Sequence, residues 1–401
     1  MSQKNKLAIF TPLPPSKTGI ADYCCELGEA LTKFWEVIFV IANDALDPTW
    51  LPDGCSFYRL DEFSKKSKMK KIPRIYQMGN NVHHAYMLDE IENKPGLLVL
   101  HDYSMHHLLV EETLAKGDTE KYKALLRHDY GELGERIAEN RENYIFDHLL
   151  EFMMPINGTL VDSSLGVVVH SYQSLLDLEY RFPEKATRRI PFPFTNDIDG
   201  CFLESKTVAR EQLGIPKEKL IFSSMGFITP PKQIEFALRA LANVKEYIPD
   251  FEYWLVGDKS DAIDLDSLLE ELDLVEHVKL TGFVTFEEFH HYLQASDVVI
   301  SLRYPSAGET SAALFRAMGL GCCNLVFDYA SFSDFPEGTL IKVPLDTFDT
   351  TMMESAIKYV ANDEEVRLQI GQTAKEFILN KHDVSIAALE YTQFVKSTFN
   401  K

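Results

Sequence analysis

The stretch SLRYPSAGETSAALFRAMGLG, residues 301–321, carries the strongest pattern in this sequence of 401 residues. The apolar run SDVVISL at 296–302 leads into it and predicts a buried strand. A turn containing Gly308 follows, and then a predicted helix at 311–319. Good helix-capping residues stand at the start of this helix: Thr310 and Ser311. A strand, a glycine turn and a helix N-terminus together favour an anion site, because unpaired N–H groups and the helix dipole point at the ligand.

Two charged side chains flank this turn. Arg303, at the end of the predicted strand, is placed to make a bidentate contact with a phosphate group. Glu309, on the turn itself, is placed to accept hydrogen bonds from hydroxyl groups. Groups that donate hydrogen bonds to a phosphate, beside a carboxylate that accepts them from hydroxyls, favour a sugar nucleotide as the ligand.

The second half of the chain contains another loop of this kind. A strand is predicted at 220–225, and it is followed by Gly226, by Lys232 and by a helix at 233–245. Lys232 is a second candidate phosphate ligand, a point charge that complements the planar guanidinium of Arg303. Further strands are predicted at 251–257, 278–280 and 324–327, and the tail at 351–399 is predicted to be mostly helical.

The first half begins with a strand at 7–11, a helix at 21–33 and a strand at 35–41. This order predicts a parallel sheet with helices on both faces. The loop before the helix ends in Gly19 and Ile20, where the backbone has room to approach a pyrophosphate closely. A purely structural turn is the other interpretation of this glycine.

Polar residues follow two strands of the first half, at 75–78 and 97–100. In open α/β sheets ligands collect at the carboxyl ends of the strands, so these residues predict a substrate site. The group is Gln77, Asn80, His84, His101 and Asp102. A structural role for each single histidine is the alternative.

Between the halves the chain departs from the alternation of strands and helices. Residues 110–155 predict a helical excursion, and the proline-containing segment at 190–196 predicts a linker. The predicted domains are therefore 1–195, a Rossmann-like acceptor-side domain, 196–383, a Rossmann-like nucleotide-sugar domain, and 384–401, a C-terminal helix.

The composition limits the classes of function. The formal net charge of −21 disfavours nucleic acid as a partner, because phosphate backbones would be repelled. No run of about 20 apolar residues is present, and the apolar stretch near the start is too short for a signal peptide. Six cysteines without C-x-x-C spacing indicate reduced thiols. We therefore expect a cytoplasmic protein.

The segment KKSKMKKIPR at 65–74 has six basic residues in an acidic protein. One interpretation is a solvated loop. The other is an electrostatic contact with an anionic membrane or a lipid-linked acceptor, at the inner face of the membrane, in which each basic residue contributes about 1 kcal/mol. Met69 and Ile72 would then add some apolar insertion.

Several blocks together resemble the retaining glycosyltransferases of family 4. PLPPSKTGIADY at 12–23 is similar to the N-terminal glycine loop of that family, and GFITPPKQ at 226–233 is similar to its donor loop. VKLTGFVTFEEFHHYLQASDVVISL at 278–302 resembles the approach to the donor site. RYPSAGETS at 303–311, followed by RAMGLG at 316–321, resembles a bacterial subgroup with a G-E-T-S loop. The resemblance spans nearly the whole chain.

The resemblance implies a GT-B fold, in which two Rossmann-like domains with parallel sheets face each other across a cleft and a C-terminal helix crosses back to the first domain. It implies transfer of a sugar from a nucleotide donor, UDP on family frequency, to a saccharide or lipid-linked saccharide acceptor with retention of configuration. No cofactor is expected. The D-x-D triplets at 197–199 and 264–266 lie away from both phosphate loops, so we expect no metal.

On this resemblance the leaving diphosphate is stabilised by Lys232, Arg303 and backbone N–H groups of Gly19 and of the Gly308–Ser311 turn. His101 would orient the sugar near the reacting carbon, and Glu309 would hold donor hydroxyls. The remaining donor-side and acceptor-side expectations concern Ile20, Gly226, Asn80, His84 and Asp102.

The sequence also departs from the family pattern. The family commonly has two glutamates eight positions apart, and here Gly308 and Arg316 stand at those positions. Phe227 stands where a basic residue often follows the donor-loop glycine. Two alternatives stay open: a GT-B sugar-nucleotide epimerase, and a catalytically idle partner subunit. A nicotinamide-binding Rossmann protein is disfavoured, because no G-x-G-x-x-G follows either first strand.

Overall fold

A computed structural model describes residues 4–142, 149–195 and 205–399. Three predictions lie at least partly outside the described residues: the D-x-D triplet at 197–199, the linker end at Asn196 and the 143–148 part of the helical excursion. The chain divides into two compact units. The first unit comprises Met1–Pro193, Ala307–Thr310 and Val384–Lys401, and the second comprises Phe194–Ser306 and Ser311–Asp383.

The first unit is built on a seven-stranded sheet. Its strands are β1 Lys6–Phe10, β2 Glu36–Ile41, β3 Cys55–Arg59, β4 Arg74–Met78, β5 Leu97–Leu100, β6 Gly166–Val169 and β7 Thr187–Arg189. They are ordered β3-β2-β1-β4-β5-β6-β7, and every pairing is parallel. The strands β4, β5 and β6 are buried along their length, as expected where helices cover both faces of a sheet, and β5 and β6 are accordingly apolar throughout.

In the part of the chain that the structure describes, eight α-helices lie between β1 and β7 in sequence. They are α1 Gly19–Leu31, α2 Leu60–Lys65, α3 Leu88–Asn93, α4 His106–Glu112, α5 Thr119–Glu142, α6 Leu150–Met153, α7 Gly158–Ser163 and α8 Tyr172–Arg181. The predicted excursion at 110–155 is therefore several helices, and α5 is itself kinked at Gly131, where φ is +60°. Just before this kink, the Asp129 carboxylate accepts hydrogen bonds from the N–H groups of Asn157 and Gly158 at 3.1 and 3.0 Å.

The basic segment at 65–74 is only partly a surface feature. Met69 is buried and Ile72 packs against the core of the first unit, so the predicted apolar insertion by these two side chains is wrong. Arg74 begins β4, is buried and pairs with Glu90 at 3.1 Å. The five lysines of the segment are exposed.

The second unit is built on a six-stranded parallel sheet. Its strands are β8 Leu220–Met225, β9 Phe251–Val256, β10 Val278–Gly282, β11 Val298–Ile300, β12 Cys323–Phe327 and β13 Ile341–Val343, in the order β10-β9-β8-β11-β12-β13. Its helices are α9 Lys206–Gln212, α10 Ile234–Val244, α11 Leu265–Glu271, α12 Phe286–Ala295, α13 Ala312–Leu320, α14 Thr351–Asn362 and α15 Glu364–Lys381. The predicted α/β fold with two parallel sheets is confirmed.

The last helix, α16 Val384–Phe399, belongs to the first unit. Two side-chain hydrogen bonds tie it there: the hydroxyls of Tyr23 and Tyr391 lie 2.8 Å apart, and Trp35 Nε1 donates to Thr392 Oγ1 at 3.0 Å. Among the described residues, none of the helices combines the length and apolar character that a membrane span requires.

Candidate functional site

The loop after β8 brings a lysine back to the strand end. Gly226 adopts φ +81°, a left-handed conformation that favours glycine, and Pro230–Lys232 form one 3₁₀ turn before α10. The Lys232 ammonium donates a hydrogen bond to the carbonyl of Met225, the last residue of β8. A Cβ on Gly226 would lie 3.2 Å from Lys232 Nζ, so the glycine also gives this ammonium its space.

The loop after β11 is tied to the loop after β8. Tyr304 N–H donates to the Pro231 carbonyl at 2.7 Å, and Gln233 Nε2 donates to the Tyr304 carbonyl at 2.7 Å. Arg303 lies in the same loop, immediately before Tyr304. Burial and, secondly, the charge of Arg303 hold the pKa of Lys232 well below its ordinary value. Two cations of the second unit are therefore held close enough to repel each other.

Such a pair of cations is suited to an anion. A bound phosphate would relieve the repulsion and replace the water that burial removes from Lys232. The helix α13 begins next along the chain, and Ser311 caps it by accepting from Leu314 N–H at 3.3 Å. The sequence thus identified the two cations and the cap, but the contacts between their loops depend on the fold.

The segment Ala307–Thr310 belongs to the first unit. Ser104 N–H donates to the Ala307 carbonyl at 2.8 Å, and the Glu309 carboxylate accepts from Ala307 N–H at 2.8 Å. Gly308 has φ +78°, and a Cβ there would lie 2.4 Å from Tyr103 Cβ. Only glycine fits at this position, because both the backbone angle and the space exclude a side chain.

The N-terminus of α1 lies in the same unit. Gly19 is its exposed first residue, and the Thr18 side chain accepts from Ile20 N–H at 3.3 Å. The sequence prediction began this helix at Ala21 and missed Thr18 as its cap. A threonine followed by an apolar-periodic helix was the signal that would have found it.

His101 lies at the end of β5 and is buried to 7% exposure. Its Nε2 is 2.8 Å from Gln77 Oε1, and its ring meets the ring of Tyr23 edge-on at 4.6 Å. Burial, and then the nearby His170 and His84, hold the pKa of His101 well below its ordinary value. His84 is completely buried, and its Nδ1 donates to the Gln77 carbonyl at 2.9 Å. Burial lowers the pKa of His84 to about 4.

Asn80 and Asp102 lie close together, as expected for residues that follow the carboxyl ends of the neighbouring strands β4 and β5. Asn80 N–H donates to Asp102 Oδ2 at 2.8 Å. The Asn80 side chain accepts from Leu108 N–H at 2.8 Å and lies 3.1 Å from His107 Nδ1. These contacts join the loop after β4 to the loop after β5 and to α4, so Asn80 holds the local structure in addition to any contact with a ligand.

Sequence reasoning did not single out the aromatic side chains around His101. Tyr23 contacts His101, and its hydroxyl pairs with that of Tyr391. His170 lies 5.3 Å from the His101 ring. Tyr23 stands in the block at 12–23 that carries the resemblance, whereas nothing in the sequence around Tyr391 marks it.

The remaining candidates concern metals and the altered glutamate position. Asp264 caps α11 by accepting from Ser267 N–H and Oγ at 3.3 and 2.8 Å. The described ranges contain no group of three or more His, Cys, Asp or Glu side chains able to hold a metal ion. Arg316 is buried in α13, with its guanidinium 4.6 Å from the centre of the Phe286 ring.

Two Rossmann-like α/β domains with parallel sheets define the GT-B class of fold, and solved structures share it. The chain matches sucrose-phosphate synthase from Thermosynechococcus elongatus with a TM-score of 0.72 and 18% identity, over 99% of this chain and 100% of that one. It matches Anabaena Alr3699/HepE, solved in complex with UDP and glucose, with a TM-score of 0.64 and 14% identity over 98% and 100% of the chains.

A family match is more specific. Residues 205–377, most of which lie in the second unit, match the family model of the glycosyl transferases group 1. The alpha-D-kanosaminyltransferase of Streptomyces kanamyceticus is 21% identical over 209 residues, which are 52% of this chain and 53% of that enzyme. The match thus spans about half the length of this curated relative.

Proposed function

We propose that this protein is a retaining, metal-independent glycosyltransferase that moves a sugar from a nucleotide-sugar donor to a hydroxyl of a saccharide or lipid-linked saccharide. The observation that carries the proposal is the pair Lys232 and Arg303. Their loops are tied together by the contacts of Tyr304, at the carboxyl ends of adjacent strands, in the region that matches the glycosyl transferases group 1 family. Carboxyl ends of parallel strands are where α/β proteins bind ligands.

UDP is the proposed nucleotide. The family frequency behind the resemblance favours it, and Alr3699/HepE, which has the same fold, binds UDP and glucose. No cofactor is proposed besides the donor itself. Because Asp264 is engaged as a helix cap, its triplet offers no support for a metal-bound diphosphate.

The proposed reaction stabilises charge on the leaving group. As the bond between the anomeric carbon and the diphosphate oxygen breaks, Lys232 and Arg303 neutralise the developing negative charge. The acceptor oxygen forms its bond to the anomeric carbon on the same face, and the departing phosphate oxygen takes the acceptor proton. No protein nucleophile is then needed. We assign orientation of the sugar to His101 and donor hydroxyl contacts to Glu309.

Further site assignments remain part of the proposal. Gly19, Ile20, Gly226, Gly308, Thr310 and Ser311 are proposed for the donor, and Asn80, His84 and Asp102 for the acceptor or sugar. Because His84 is fully buried, we expect it to act by supporting Gln77. We also retain the domain assignment 1–195, 196–383 and 384–401, and a cytoplasmic location with peripheral contact through 65–74.

A thermal-shift panel with UDP, GDP, ADP and dTDP, each with and without EDTA, tests the donor proposal. A ligand at 100 times its dissociation constant adds about 2.7 kcal/mol to stability, which raises Tm by several degrees. We expect UDP alone to do so, and the shift to survive EDTA. A shift that EDTA abolishes would contradict the metal-independent mechanism.

The other outcomes separate the alternatives. No shift with any nucleotide would favour the idle partner subunit. Turnover of a UDP-sugar into another UDP-sugar without an acceptor would identify an epimerase. If His101→Ala kept wild-type turnover with its folding intact, the assignment of His101 would be wrong.

A further inference from the structure

Gln77 and His101 form a buried contact that gives the imidazole one orientation. Gln77 is fully buried in β4, and His101 follows β5, the neighbouring parallel strand. Register places Met78 opposite Leu100, and His101 N–H donates to the Met78 carbonyl at 2.9 Å. The two side chains meet at 2.8 Å between Gln77 Oε1 and His101 Nε2. With Gln77 Oε1 assigned as the atom that faces Nε2, this contact requires the imidazole to carry its proton on Nε2, because an amide oxygen only accepts.

This arrangement leaves the other ring nitrogen with a lone pair. Within the described residues, His101 Nδ1 makes no hydrogen bond, and 7% of the residue remains exposed. A neutral imidazole with its proton on Nε2 is a hydrogen-bond acceptor at Nδ1. Hydroxyl groups are the donors that a sugar supplies.

The groups around His101 keep it neutral. Tyr23 from α1 and His170 after β6 face its ring, His84 lies on the turn after β4, and Tyr391 of α16 pairs with Tyr23. Burial raises the pKa of Tyr23 and of Tyr391, so both hydroxyls keep their protons. Gln77 adds no charge, whereas a carboxylate there would stabilise an imidazolium.

We propose that Gln77 is a positioning residue that fixes His101 in its Nε2–H tautomer, so that Nδ1 accepts a hydrogen bond from a sugar hydroxyl of the substrate. This proposal rests on the proposed function for the identity of the ligand. The tautomer itself is a property of the free protein. Gln77 contacts no substrate in this role and acts through His101.

The first experiment measures the tautomer directly. Protein with ¹⁵N-labelled histidine gives ring-nitrogen shifts that distinguish Nε2–H from Nδ1–H imidazole, and His101→Gln identifies the resonance by its loss. We expect the Nε2–H form at neutral pH. An Nδ1–H form would overturn the proposal, and the measurement requires neither a substrate nor a variant of Gln77.

The second experiment changes the partner. Gln77→Glu places a carboxylate beside Nε2, which should raise the pKa of His101 by about 1–3 units. The acidic limb of the turnover profile against pH should move upwards by the same amount, with activity recovering at higher pH. An unchanged profile in a folded Gln77→Glu protein would overturn the proposal.

A matched variant separates positioning from packing. Gln77→Met keeps a similar volume but offers no acceptor to His101. We expect a mixture of the two tautomers and a roughly tenfold fall in kcat, equivalent to about 1.4 kcal/mol, with no shift of the pH profile. Retention of a single Nε2–H tautomer in this variant would contradict the role of Gln77. Failure of the proposed function would instead appear as absence of any nucleotide-dependent thermal shift.

Discussion

The two units use burial in opposite ways. In the second unit, Lys232 and Arg303 are held close together, and burial, then the charge of Arg303, lowers the pKa of Lys232. In the first unit, His101 lies among neutral partners, Gln77 and Tyr23, and burial keeps its imidazole uncharged. The two cations of the second unit repel each other, and a bound anion would relieve this repulsion. The uncharged groups around His101 instead offer only hydrogen bonds to a ligand. A diphosphate suits the former and a sugar hydroxyl suits the latter.

We expect the largest effect from lowering the pH, which should destabilise the protein mainly through the buried, neutral histidines of the first unit. Burial lowers the pKa of His84 and His106 to about 4 and that of His290 to about 3. The unfolded value is about 6.5, so the unfolded chain binds more protons below it. The contribution of these buried, neutral histidines to the free energy of unfolding is fully present above about pH 6.5. It is lost as the pH falls towards their folded pKa values. Each histidine contributes up to about 1.4 kcal/mol per pH unit, which urea unfolding measures.

Single variants assign this slope to the units. His106, whose ring contacts the Met154 carbonyl and the Tyr122 hydroxyl at 2.7 Å, lies in the first unit. His106→Gln should flatten the pH dependence by about 1.4 kcal/mol per unit, and His290→Gln should do the same for the second unit. Equal slopes in wild type and His106→Gln would contradict the contribution of burial at this site. The first unit, with His84, His101 and His106, should carry most of the effect.

Removing one cation should have the next largest effect. Lys232→Met is expected to weaken UDP binding by about 10–150-fold, because a hydrogen bond to a charged group contributes about 1.5–3 kcal/mol. The folded pKa of Lys232 is lowered, so its stability contribution is lost as pH falls below the unfolded value of about 10.4. At neutral pH the variant should therefore melt no lower than wild type. Calorimetric titration and thermal melting measure the two quantities.

Lys259→Met provides the matched control for this variant. Lys259 follows β9, the neighbouring strand, and its ammonium donates to the Ile263 carbonyl at 2.7 Å. We expect UDP affinity to stay within about twofold of wild type, since this cation is used locally. A loss equal to that of Lys232→Met would show that the second unit attracts the nucleotide by overall charge and would remove the contrast between the units.

The sheets could be predicted because their inner strands are buried and mostly apolar. The predicted bounds of Leu97–Leu100 and Leu220–Met225 match the structure. The strands β3, β7 and β13 were missed. Each lies at a sheet edge and is only partly buried, so its sequence lacks a continuous apolar run.

The candidate site could be predicted one side chain at a time. His101 and Lys232 were predicted as site residues because strand ends and glycine loops are visible in the sequence. The partner of His101 depends on the register of β4 and β5, and the Tyr23–Tyr391 pair joins residues 368 positions apart. No local pattern encodes such contacts, since they arise only when the sheet and α16 assemble.

The Tyr23–Tyr391 pair allows a further test of the uncharged cluster around His101, with a smaller expected effect on stability. Tyr23→Phe removes the hydroxyl that pairs with the buried Tyr391 hydroxyl, and we expect a loss of about 1–3 kcal/mol in the free energy of unfolding. The double variant with Tyr391→Phe removes both hydroxyls and should cost less than the sum of the single variants. Strict additivity would contradict a direct coupling. Tyr180→Phe, at a position 89% exposed, is the control and should change stability by less than about 0.5 kcal/mol.

We expect the smallest effect from changes in the basic segment at 65–74. Its exposed lysines test whether close pairing of cations, and not surface charge, distinguishes the second unit. Lys68, Lys70 and Lys71 are exposed, so water screens their mutual repulsion, unlike that between Lys232 and Arg303. Replacing the three with alanine should change the free energy of unfolding by less than about 0.5 kcal/mol per site and leave UDP affinity unaltered. Urea unfolding and calorimetric titration measure both. A clear fall in UDP affinity would mean that surface charge steers the nucleotide, and the close pairing of Lys232 with Arg303 would then not be what distinguishes the second unit.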